Sequence, residues 1–131
     1  MMSPARFRGL VAAAFTPMKE DGSLNLDRIP DVVDHLIKDK LSAMYVLGST
    51  GEGPLLSGEE RKRVAEAYVQ SSGGRIPVIV NVGHTSIVEA RELAEHSAKI
   101  GADAISAMAP SYFKPETVED LVDSMKEIAR G

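Results

Sequence analysis

A chain of 131 residues with 44% hydrophobic content suits one compact domain, and it is about half of what a closed eight-stranded α/β barrel needs, roughly 250 residues. Fifteen basic and nineteen acidic residues give a net charge of -4; the basic residues are scattered apart from Arg61-Lys62-Arg63, which excludes a nucleic-acid footprint and reads as a solvated helix face. With no cysteine, disulfides, thiol nucleophiles and thiolate metal sites are excluded.

The histidines His35, His84 and His96 lack metal-ligand spacing, so no metal site is read, and no cofactor motif is present. The apolar run Gly9 to Phe15 is too short for a membrane span and lacks a signal-peptide layout. A cytoplasmic protein with no membrane partner is the expectation.

The chain then repeats one pattern four times, strand followed by helix. Gly9 to Phe15 has no polar alternation and reads as a strand buried on both faces. After a turn at Glu20-Asp21-Gly22, the set Ile29, Val32, Val33, Leu36 and Ile37 marks one helix face, with Pro30 in the first turn. The second unit has a strand over Ala43 to Leu47, the loop Gly48-Ser49-Thr50-Gly51-Glu52, and a helix opened by a capping box of Ser57 and Glu60.

The third unit runs from a strand at Pro77 to Val82, through Gly83-His84-Thr85, to a helix with a second capping box, Ser86 and Glu89. Its inward face is read as Ala90, Leu93, Ala94, Ser97 and Ala98, and Gly101 supplies a left-handed stop. The fourth has a strand at Ala104 to Met108 and the loop Ala109-Pro110-Ser111-Tyr112-Phe113-Lys114-Pro115. Its helix begins near Thr117, with Val118, Leu121, Val122, Met125 and Ile128 inward.

Such alternation predicts a mostly parallel α/β sheet. Periodicity leaves two architectures open, a doubly wound open sheet and part of a (β/α)8 barrel. In either, ligands collect at the carboxyl ends of the strands. Thr16, Ser49, Thr50, His84 and Tyr112 all fall there. Glycines at 48 and 51 allow close backbone approach, and the two hydroxyls between them suit a small carboxylate.

In order and context, GSTGE and APSYFKP resemble the pyruvate-dependent class I aldolase family, which includes N-acetylneuraminate lyase and dihydrodipicolinate synthase. The resemblance runs from about Arg8 to Gly131 and implies a TIM-barrel fold, of which residues 1–131 are the N-terminal (βα)4 half, a single domain. It implies a 2-oxo acid substrate, with Ser49, Thr50 and Gly51 binding the carboxylate and Thr16, in the family's threonine-proline pair, shaping the pocket floor. Ser49 and Tyr112 are the implied catalytic pair of a proton relay. No cofactor is implied. Where many relatives carry an aromatic residue, this chain has Ser111.

The family's reaction runs through a Schiff base on a strand-borne lysine. Lys19, Lys38, Lys40, Lys62, Lys99, Lys114 and Lys126 are the only lysines, and all fall on predicted helices, at helix ends or in loops. The lysine is therefore expected outside this sequence. Ser49 followed by Thr50, and the stretch from Val82 to Pro115, resemble the sialic-acid-lyase branch, implying pyruvate and N-acetylmannosamine as products. Dihydrodipicolinate synthase or a 2-keto-3-deoxy-sugar aldolase is the alternative, and a non-catalytic, self-assembling half barrel is the rival from another class. Open sheet edges predict a homo-oligomer.

Overall fold

The computed structural model describes residues 7–131 and contains four parallel strands and four α-helices in strict alternation. The strands are β1 (Val11–Ala13), β2 (Ala43–Val46), β3 (Val78–Asn81) and β4 (Ala104–Ser106); the helices are α1 (Ile29–Lys38), α2 (Gly58–Ser72), α3 (Ile87–Lys99) and α4 (Val118–Ile128). Residues 1–6 lie outside this description.

Strand order is β1-β2-β3-β4, with register Val11 to Ala43, Met44 to Val78 and Ile79 to Ala104. A doubly wound sheet reverses direction at a switch point. This one does not. Sequential order with right-handed crossovers puts every helix on the same face, and consecutive helices pack against each other. This is the arrangement of half a (β/α)8 barrel.

The core lies between sheet and helices. Met44, Val46, Val78 and Val80 turn toward the helices and are buried with Ile29, Val33, Val64, Ala65, Tyr68, Ala90, Leu93 and Ala94. The other row, Ala13, Tyr45, Ile79 and Ala104, shares the opposite face because side chains alternate along a strand. Among the described residues no helix is long and apolar enough to cross a membrane.

Helix boundaries follow local chemistry. Ser57 and Glu60 form the expected reciprocal capping box, and Thr117 with Asp120, at the same spacing, forms a second that the sequence reading did not name. The expected box at Ser86 is only half made. The Ser86 hydroxyl accepts from Glu89 N–H, but the Ser86 N–H donates to His84 Nδ1 at 2.9 Å, so Glu89 has no donor left to reach. Helix α1 ends in a Schellman turn, Leu41 N–H to Leu36 and Lys40 N–H to Ile37, with Lys40 left-handed at φ 58°. Gly101 does the same for α3 at φ 84°.

Four further expectations are corrected. β1 is not buried on both faces: Leu10, Val11 and Phe15 are exposed because β1 is an edge strand of this sheet. Ala98 is exposed, and α3 completes its inward stripe with half-buried Ile87 and Ile100 instead. On α4, Val118 and Val122 face outward, leaving Leu121, Met125 and Ile128 for packing, since α3 is the element this helix packs against most among the described residues.

The fourth correction concerns Arg61-Lys62-Arg63. Lys62 pairs with Glu59 and Arg63 is exposed, as a solvated face demands. Arg61, however, is 1% exposed. It precedes Val64, Ala65 and Tyr68 by three, four and seven positions, so helical pitch turns it into the core stripe.

Candidate carboxylate-binding site

Strand β2 runs directly into the Gly48–Gly53 loop. Leu47 is buried in the core yet left-handed at φ 62°, and Glu52 is left-handed at φ 54°. These two residues fold the segment between them into a tight turn. Glu52 N–H donates to Ser49 C=O at 3.0 Å and Gly53 N–H to Gly48 C=O at 3.1 Å.

Close approach explains two of the glycines. A Cβ on Gly51 would lie 2.8 Å from Leu47 N and 3.1 Å from Ala14 O, and one on Gly53 would overlap the Leu47 carbonyl. The loop thus packs back on the strand that leads into it. Gly51 and Gly53 are buried beneath, while Ser49 and Thr50 are exposed above.

Thr16 is 5% exposed, and its hydroxyl donates to the Gly51 carbonyl at 2.6 Å. It fastens the loop from β1, and the hydroxyl proton is committed to that bond. The neighbouring carbonyl of Phe15 accepts from the Tyr68 hydroxyl at 2.5 Å. Burial of Tyr68 raises its phenol pKa well above the ordinary value, so it is a neutral donor there.

Two residues that sequence reasoning left out complete the frame. Asn81, at the end of β3 and 5% exposed, donates from Nδ2 to the Leu47 carbonyl at 2.9 Å and accepts from Gly83 N–H at Oδ1, at 3.2 Å. Arg61 donates from Nη2 to the Asn81 carbonyl at 2.7 Å and from Nη1 to the Gly83 carbonyl at 2.9 Å. Its Nε has no partner among the described residues, and burial lowers its pKa from the ordinary arginine value. The signals were present: an amide closing an apolar strand, and an arginine on a helix's apolar stripe.

Beside the loop lies a cleft of about 170 Å³, lined among others by Pro54, Arg61, Asn81, His84, Met108 and Ser111. Tyr112 lies in the loop after β4, 80% exposed, its ring edge-on to Phe113 with centroids 4.9 Å apart. Among the described residues no hydrogen bond joins it to the Ser49–Thr50 turn. His84 caps the start of α3, and His96 Nε2 lies 2.8 Å from Glu66 Oε1, tying α3 to α2. The lysines are exposed or paired at helix surfaces and loops, and none is on a strand.

The arrangement offers two exposed hydroxyls and their backbone N–H groups on a turn anchored from β1 and β3, a suitable cradle for a small anion. Residues 6–131 match the family model described as the dihydrodipicolinate synthetase family. Human N-acetylneuraminate lyase is 44% identical over 126 residues, which covers 95% of this chain and 39% of the relative. Proteus mirabilis N-acetylneuraminate lyase superposes with a TM-score of 0.91 at 43% identity, over 93% of this chain and 41% of that one. Dihydrodipicolinate synthase from Aquifex aeolicus gives 0.88 at 34% identity, over 95% and 42%. The chain thus spans about two fifths of the length of these relatives, and its four units correspond to the N-terminal half of their barrel.

Proposed function

The chain belongs to the dihydrodipicolinate synthetase family, and from that premise we propose that it is the carboxylate-binding half of a pyruvate lyase of the N-acetylneuraminate lyase type. The reaction is cleavage of sialic acid to N-acetylmannosamine and pyruvate. The observation that carries the reading is the Gly48–Gly53 turn, which is anchored by Thr16 from below and exposes Ser49 and Thr50 above. Identity of 40–45% to several N-acetylneuraminate lyases favours that branch over the synthase.

Each residue has a distinct role. Ser49 and Thr50 hold the pyruvate carboxylate by charge-assisted hydrogen bonds, and Gly51, packed beneath them against Leu47 and Ala14, supports the turn that presents them. Thr16 acts on substrate through Gly51 rather than by touching it. A lysine outside residues 1–131 condenses with the C2 ketone, releasing water, and the resulting imine accepts the electron pair of the adjacent carbon–carbon bond as it breaks. The proton on the hydroxyl of the carbon that becomes the aldehyde passes through Ser49 and Tyr112; the enamine left behind takes up a proton at C3, and water then hydrolyses the imine to release pyruvate and return the lysine as a free amine.

The test is a pyruvate titration of the isotope-labelled chain followed by amide NMR. Saturable shifts at Ser49, Thr50 and Gly51, absent with acetone, are the expected result. Shifts spread over the surface, or equal with the carboxylate removed, would overturn the assignment. Pyruvate with borohydride should leave the chain's mass unchanged, and a stoichiometric adduct would show that one of its own lysines forms the imine.

A further inference from the structure

We propose that Asn81 is a positioning residue for this turn: its side chain locks the Leu47–Gly48 peptide in the one orientation that aims Ser49 and Thr50 outward. The inference rests on the reading of the turn as the carboxylate site and adds the residue that sets its geometry.

Left-handed backbone is costly for a residue with a side chain and persists only where its surroundings over-determine it. Leu47 is such a residue, and three things determine it. Its side chain is fixed in the core, at 1% exposure. Its carbonyl is backed by Gly53, where any Cβ would overlap it. The same carbonyl receives Asn81 Nδ2–H at 2.9 Å. Rotation of Leu47 to ordinary backbone would swing that carbonyl away and reorient the Gly48 N–H, from which the Ser49–Thr50 turn continues.

Asn81 is suited to this because it is itself immobile. Its Oδ1 accepts from Gly83 N–H, which fixes which end of the amide faces Leu47. Its backbone carbonyl and that of Gly83 are both held by the buried Arg61 guanidinium. The lock therefore runs from α2 through the end of β3 to the end of β2. The hydrogen bonds of Arg61 among the described residues go to backbone carbonyls, so changing the Asn81 side chain removes the bond to Leu47 while leaving Arg61's grip in place.

The experiment uses the whole chain with Asn81→Leu, similar in size but without a donor, and Asn81→Ser, which is too short to reach Leu47. Asn81→His, whose ring N–H reaches a similar distance, is the conservative rescue, and Ile128→Val on α4 is the control for general destabilisation. The first readout needs no ligand. Amide exchange at Glu52 and Gly53, whose N–H groups close the turn, should quicken about ten-fold or more in Asn81→Leu and Asn81→Ser relative to Ile128→Val, and return toward the parent rate in Asn81→His. Exchange no faster than in the control would overturn the proposal. The second readout is pyruvate affinity, expected to fall about five-fold or more in the Leu and Ser variants and to be regained with His. Faster exchange with unaltered affinity would overturn Asn81's role in binding. If the parent's Ser49 and Thr50 amides ignore pyruvate, the carboxylate reading fails, and the exchange result still decides the lock.

Discussion

Replacing Tyr68 by Phe isolates one hydrogen bond at the base of the site. Tyr68 is 1% exposed, and its hydroxyl reaches from α2 to the Phe15 carbonyl at 2.5 Å. The phenol is neutral at ordinary pH and burial raises its pKa further, so the bond is neutral-to-neutral. Substitution with Phe leaves packing almost unchanged and strands a carbonyl at the end of β1. A lost hydrogen bond that leaves a partner unsatisfied costs about 1–3 kcal/mol, whereas removing the whole buried ring would cost about 3–5 kcal/mol. Urea unfolding should therefore show Tyr68→Phe less stable by about 1–3 kcal/mol with an unchanged slope, and Tyr68→Ala clearly worse. Since Phe15 adjoins Thr16, amide exchange near Gly51 should also quicken. Full stability in Tyr68→Phe would refute the view that this bond anchors the end of β1.

Ser49→Ala and Thr50→Ala should each weaken pyruvate binding by about 1.5–3 kcal/mol, measured by titration, the value of a hydrogen bond to a charged group; unchanged affinity in both would remove the loop from the site. Ser57→Ala, which breaks a reciprocal box, should destabilise by about 1–2 kcal/mol in urea unfolding, more than Ser86→Ala, whose box is half made. Glu60 has its pKa lowered below 4.5 by the Ser57 backbone N–H and hydroxyl. Its contribution is thus present above the unfolded-state pKa and lost as pH falls through the folded value. The stability gap between parent and Glu60→Gln should therefore close on acidification below about pH 4; a gap constant down to pH 2 would contradict that linkage. Leu10, Phe15 and Ile105 are exposed at or near the two edge strands, so light scattering of the chain should show a homodimer or larger species at micromolar concentration. A cooperatively melting 14.0 kDa monomer at every dilution would refute it.

The sequence by itself determined what depends on neighbours in the chain. Four strand–helix units, the Ser57 box, the Gly101 stop and the polar residues at strand ends all follow from spacing over a few residues, because periodicity and capping are local physics. GSTGE and APSYFKP carried the family resemblance for the same reason, since each is one continuous loop. What only the tertiary structure decided depends on elements meeting across the fold. Strand order bore out the barrel that the resemblance implied and that periodicity alone left open, and the edge position of β1 left an apolar strand exposed. Burial of Arg61 followed from what α2 packs against, not from the charges beside it. Thr16 on Gly51 and Asn81 on Leu47 are bonds between residues 35 and 34 positions apart. Such bonds leave no mark in local spacing, because the chain must first close its parallel sheet to bring three strand ends to one turn.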